Sequence, residues 1–72
     1  MKKNDGNNRH HIYPKSRYPR IRNHPRNISR INIDDHALYH LLFKLMNPEE
    51  VVRYLNTYFW NNSFDITLKR RW

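Results

Sequence analysis

A chain of 72 residues without a single cysteine has few ways to hold itself together. At that length one domain is the most that can form, and its core is small against its surface, so such folds commonly rest on a staple. Neither a disulfide nor a thiolate zinc cage is available. A metal ion held by histidines is the remaining candidate, and four of the five histidines fall into two pairs. His10 and His11 are adjacent on a strand-like run that ends at Pro14, and His36 and His40 stand four apart in a helical pattern.

These spacings divide the work among the side chains. Neighbours on a strand point to opposite faces, so one member of His10-His11 can bind a metal while the other stays free to take a proton. Residues four apart on a helix share a face, so His36 and His40 can supply two ligands to the same ion. A lone His-x-x-x-His is usually no metal site; the pairing with His10-His11 gives it weight.

The formal net charge is +8, and its placement is informative. Residues 1–30 hold nine Lys or Arg against one acid, whereas residues 31–72 hold five of each sign. A basic face of this kind is the electrostatic footprint of a polyanion partner. No apolar run approaches a membrane-spanning length, and Met-Lys-Lys leads into Asn-Asp-Gly-Asn-Asn instead of an apolar signal core, which predicts a soluble, cytoplasmic protein.

Taken in order, residues 1–8 are predicted to be a flexible tail without chemistry. Residues 9–13 read as a short strand stopped by Pro14. Residues 14–26 form a loop in which Pro14, Pro19 and Pro25 alternate with Lys15, Arg17, Arg20, Arg22 and Arg26. A second short strand is expected over 27–33. Asp34 or Asp35 is the expected cap of a helix over 35–46, with Leu38, Leu41, Leu42 and Leu45 facing a core and the histidines on another stripe. Asn47-Pro48-Glu49-Glu50 marks the start of a second helix, expected to pack on those leucines through Val51, Val52, Leu55, Tyr58 and Phe59. Asn61-Asn62-Ser63 should end it. Phe64, Ile66 and Leu68 alternate with polar residues, predicting a terminal strand within a basic extension over 61–72. Trp60 and Trp72 are expected to pack, away from the basic loop, and His24 to lie at the surface.

The ordered set of His-His-Ile-Tyr-Pro-Lys-Ser-Arg from His10 to Arg17, Asn27-Ile28, and His36 and His40 before Leu41-Leu42-Phe43 resembles the HNH endonuclease family. The continuation Asn-Pro-Glu-Glu-Val-Val-Arg-Tyr-Leu-Asn is similar to the helix after the motif in small stand-alone phage and bacterial members. The resemblance implies an α+β fold: a two-stranded ribbon and a helix clamping a metal (ββα-metal) over residues 9–60, with a second packing helix.

It also implies roles. His10, His36 and His40 would hold one divalent ion. His11 would be the general base that deprotonates the attacking water, and Asn27 would close the ribbon and orient His11. Arg9, Lys15, Arg17 and Arg26 are the candidates for gripping the phosphate backbone of DNA. Imidazole ligands suit Zn²⁺ or Ni²⁺, while phosphoryl chemistry commonly uses Mg²⁺ or Mn²⁺, so the ion stays open. Specificity is left to low selectivity, a homodimer partner or another protein. The alternative is a binding module that keeps a structural histidine metal site; a free, outward His11 separates the two.

Overall fold

The computed structural model describes residues 6–72. Its first elements are two antiparallel strands, β1 (Asn7–His11) and β2 (Ile28–Asn32), paired from Asn7 opposite Asn32 to His11 opposite Ile28. Residues 1–5 of the expected tail lie outside the described residues, but Asn7 and Asn8 belong to the ladder. Available partners on β2 override the weak strand preference of asparagine. Past His11 the chain leaves the ladder: the Ile12 N–H donates to the Asn27 carbonyl at 2.8 Å, and Pro14 has no N–H to give.

The basic loop is a series of tight turns. Tyr18 bonds back to Pro14, Ile21 to Tyr18 and His24 to Ile21, and a single 3-10 turn over Pro25–Asn27 is capped by the His24 side chain. Helix α1 (Ile33–Phe43) follows β2 directly. Its cap is Asn32, whose side chain accepts the Asp34 N–H at 2.9 Å, so Asp34 and Asp35 occupy the first turn instead of the cap. There their charge favours the positive end of the helix dipole. The helix stops at Phe43, three residues short of the sequence expectation, because Lys44 takes a positive φ of 51°.

Helix α2 (Pro48–Tyr54) begins as the sequence predicts. Asn47 accepts the Glu50 N–H at 2.8 Å and Glu50 accepts the Asn47 N–H at 2.9 Å, a reciprocal capping box with Pro48 in the first turn. The helix widens into a π-helical turn over Leu55–Phe59, where Thr57 Oγ1 bonds the Arg53 carbonyl at 2.8 Å. Asn61 and Asn62, at φ 51° and 57°, end it in the left-handed region that asparagine tolerates.

The core is small. Among the described residues the buried apolar side chains are Tyr13, Pro14 and Val51, joined by buried His10 and Asn27. Tyr13 is its hub: its hydroxyl donates to Glu49 at 3.0 Å, and its ring meets Tyr18 edge-on at 5.1 Å. Two expectations fail here. Leu38, Leu41, Leu42 and Leu45 face solvent, Leu41 at 73% exposure, and α2 meets α1 through Tyr54 on Phe43 instead of on the leucine stripe. The segment after Asn62 forms no strand and pairs with neither edge of the two-stranded ribbon. It is held by Asn56, whose side chain bonds both the N–H and the carbonyl of Phe64, and runs extended beside α2. The architecture is thus a small α+β fold, a ribbon followed by two helices. No helix among the described residues is long and apolar enough to cross a membrane.

Candidate active site

Strand alternation decides what each of the adjacent histidines sees. His10 turns inward onto α1 and is buried, 7% exposed, while His11 is half-buried on the other face of β1. Across from His10, the helical spacing of His36, Tyr39 and His40 puts all three rings on one side of α1. The His10 ring lies 5.3 Å from His36, 5.8 Å from His40 and 4.5 Å from Tyr39, each edge to face. One ring nitrogen from each of His10, His36 and His40 falls within 4.8 Å of the others, so the three can converge on one ion.

Their hydrogen bonds fix the tautomers. The Lys44 carbonyl can only accept, so His40 Nδ1, 3.1 Å away, carries the proton and leaves Nε2 a lone pair. His36 Nε2, 2.9 Å from that lone pair, then donates to it and His36 Nδ1 accepts from the Asn8 amide at 3.1 Å; ligation by His36 Nε2 would replace the bond between the two rings and move the His36 proton to Nδ1. The early stop of α1 is what points the Lys44 carbonyl at His40. Such a carbonyl on the outer nitrogen is the usual way to present Nε2 to a metal.

The donor set fits an ion by two further observations. His10 Nδ1 is buried and has no hydrogen-bond partner among the described residues, a condition that ligation through that nitrogen would relieve. Burial, then the neighbouring His36, His40 and His11, push the His10 pKa down to about 4, and burial followed by His40 lowers that of His36. Both rings are therefore neutral near pH 7, the form that ligates.

His11 opens onto a different part of the same site. It lines a cleft of about 240 Å³ together with His36, His40, Arg9, Lys15, Ser16, Pro14 and Leu45. Partial burial, then Lys15, Arg9 and Arg22, lower its pKa, so it too is neutral near pH 7 and able to accept a proton. Asn27 is fully buried. Its Oδ1 accepts the Tyr13 N–H at 2.7 Å and its Nδ2 donates to the Tyr13 carbonyl at 3.1 Å. It closes the ribbon's open end, but it touches the backbone two residues beyond His11 and not the imidazole, so its hold on His11 is indirect.

The four cations separate. Arg9 and Lys15 reach the His11 cleft. Arg17 is taken up by Glu50 and by the Leu45 carbonyl at 2.8 Å, which fastens the loop to the start of α2 and draws the Glu50 pKa down. Arg26 lies in a separate groove with the C-terminal segment. Asn8, Tyr39 and the Lys44 carbonyl also belong to the site, beyond the residues to which the sequence points. Asn8 is two before His10 on a strand and Tyr39 three after His36 on a helix, so both spacings were present in the sequence. The Lys44 carbonyl had no sequence signal.

Compared with protein-family models the chain matches none, and no curated protein and no solved structure matches it significantly.

Proposed function

We propose that this chain is a metal-dependent endonuclease of the HNH type that hydrolyses DNA phosphodiester bonds. The observation that carries the reading is the shared cleft: a neutral, proton-accepting His11 opens onto the same hollow as His36 and His40, and Arg9 and Lys15 line its walls. A structural metal site needs His10, His36 and His40 but has no use for a free imidazole beside two cations.

In this reading His10, His36 and His40 hold one divalent ion, and three imidazole nitrogens favour a transition ion over Mg²⁺. Such an ion would supply positive charge that offsets the negative charge developing on the phosphoryl group. Arg9 and Lys15 draw the phosphate into the cleft and offset its charge. His11 takes a proton from a water molecule as the water oxygen bonds to phosphorus; the bond from phosphorus to the 3′ oxygen breaks, the leaving 3′ oxygen takes up a proton from solvent, and His11 then releases its own proton to solvent. Tyr39, packed on His10, and the Lys44 carbonyl on His40 hold the ligand rings in place. Asn27 keeps the strand end that carries His11 closed.

The test is cleavage of supercoiled plasmid by the purified chain with EDTA, Mg²⁺, Mn²⁺, Ni²⁺ or Zn²⁺. Metal-dependent nicking that EDTA abolishes is expected. Binding of metal and DNA without cleavage under any ion would leave the binding-module account in its place.

A further inference from the structure

The excess positive charge of the sequence sits in residues 1–30, yet the fold adds three more cations to that face. The C-terminal segment runs beside α2 and ends with Trp72 stacked on His24 of the basic loop, ring centroids 4.4 Å apart and planes 24° from parallel. Trp72 also meets Tyr13 edge-on at 6.0 Å, and the Arg70 guanidinium lies 4.4 Å from the Trp72 ring and 5.5 Å from that of Tyr13. The result is a groove walled by Arg26 on one side and Lys69, Arg70 and Arg71 on the other, with Tyr13, Pro48 and Glu49 among its lining. The one carboxylate there, Glu49, accepts the Tyr13 hydroxyl. Arg70 Nε donates to the backbone oxygen of Trp72 at 2.9 Å, and among the described residues no Asp or Glu side chain is ion-paired with Lys69, Arg70 or Arg71. Arg70 is shared with a neighbouring hollow lined by Arg20, Arg17 and Tyr18.

We infer that Lys69, Arg70 and Arg71, fixed by Trp72 on His24, form with Arg20 and Arg26 a second phosphate-binding surface, which grips DNA backbone flanking the segment held in the His11 cleft. Like charges gathered against a loop repel one another and the loop, and this arrangement gains from an anion laid across it. The aromatic stack matters because it turns a basic tail into a fixed set of charges. A cation pre-positioned for a phosphate loses less conformational freedom on binding than one on a free chain. The inference rests on the reading that DNA is the partner; it does not depend on the hydrolytic step.

The experiment measures binding of the full chain to a labelled DNA duplex in EDTA as a function of salt, so that cleavage plays no part. Replacing Lys69, Arg70 and Arg71 together by Gln is expected to lower the magnitude of the slope of log affinity against log salt by about 2.7, at about 0.9 for each of the three phosphates no longer neutralised. Trp72→Ala leaves the net charge unchanged, and it is expected to cost most of the same affinity, while Trp72→Phe, which keeps a ring on His24, restores it. Equal binding by the triple Gln variant overturns the proposal. So does a Trp72→Ala chain that binds like the parent, since the charges would then act from a free tail. If the parent chain itself binds no duplex, the DNA reading falls together with this surface, whereas a parent that binds and cuts while the variants bind equally well removes this surface alone.

Discussion

Asn27 is bonded to the backbone of Tyr13 at both ends of its amide, accepting at 2.7 Å and donating at 3.1 Å, with no exposure to solvent. The pair joins positions 14 apart in the chain and fixes where β1 ends and the basic loop begins. Two buried hydrogen bonds depend on one side chain, and removing it strands an N–H and a carbonyl of the backbone.

Asn27→Ala is therefore expected to destabilise the chain by about 2–6 kcal/mol, from two unsatisfied buried groups at about 1–3 kcal/mol each. In a fold of this size each kcal/mol lowers Tm by roughly 4–8 °C. Thermal unfolding followed by circular dichroism measures it; a loss under about 0.5 kcal/mol would contradict the closing role. Asn27→Asp should be nearly as costly, because a carboxylate cannot donate to the Tyr13 carbonyl.

His36→Ala and His40→Ala are each expected to lower bound metal from one ion per chain to well below that, and to erase the rise in Tm that metal gives. At a hundred times Kd, a bound ion stabilises by about 2.7 kcal/mol. Metal analysis of the dialysed variants together with melting curves checks both parts. Full occupancy in either variant would remove that histidine from the ligand set.

Burial of a neutral His10 makes the metal-free chain sensitive to mild acid. Its folded pKa of about 4 lies below the ordinary 6.5, so the unfolded chain takes up a proton that the folded chain refuses. The stabilisation is complete above pH 6.5 and is lost as pH falls from there toward 4. His36 and His11, lowered in the same direction, add to the slope. Urea unfolding in EDTA at pH 7.5, 6.5 and 5.5 should show falling stability, and a flat profile over that window would mean that these rings are not held neutral.

The exposed leucine stripe gives a contrast between two apolar substitutions. Leu41→Ala should change the stability of the isolated chain by no more than about 0.5 kcal/mol, whereas Val51→Ala, in the buried hub, should cost about 1–2 kcal/mol. Equal large losses at both positions would show that the stripe is covered.

Local chemistry explains what was legible in the sequence. The ribbon, the His36–His40 face and the α2 cap at Asn47 follow from alternation, helical spacing and capping preference, all of which act within a few residues. The cap of α1 was misplaced because Asn32, Asp34 and Asp35 all suit that position, and only the end of β2 at Asn32 decides among them. The leucine stripe looked like core because periodicity reports an amphipathic face without saying what covers it. Phe64, Ile66 and Leu68 alternate as a strand would, but their segment pairs with neither edge of the ribbon. The stack of Trp72 on His24 joins positions 48 apart in the chain, and no spacing rule reaches that far. The place of Arg17 in a basic loop suggests a phosphate contact; the approach of Glu50 from α2 gives it a structural role.

The most direct measurement of the central claim is the cleavage rate of His11→Ala beside the parent chain, with metal content and Tm determined on the same samples. The account predicts that cleavage is lost by at least about a hundredfold, the low end for a general base, while the metal stays at one ion per chain and Tm changes little. A variant that cuts as fast as the parent with its metal in place would contradict the assignment of His11 as the base.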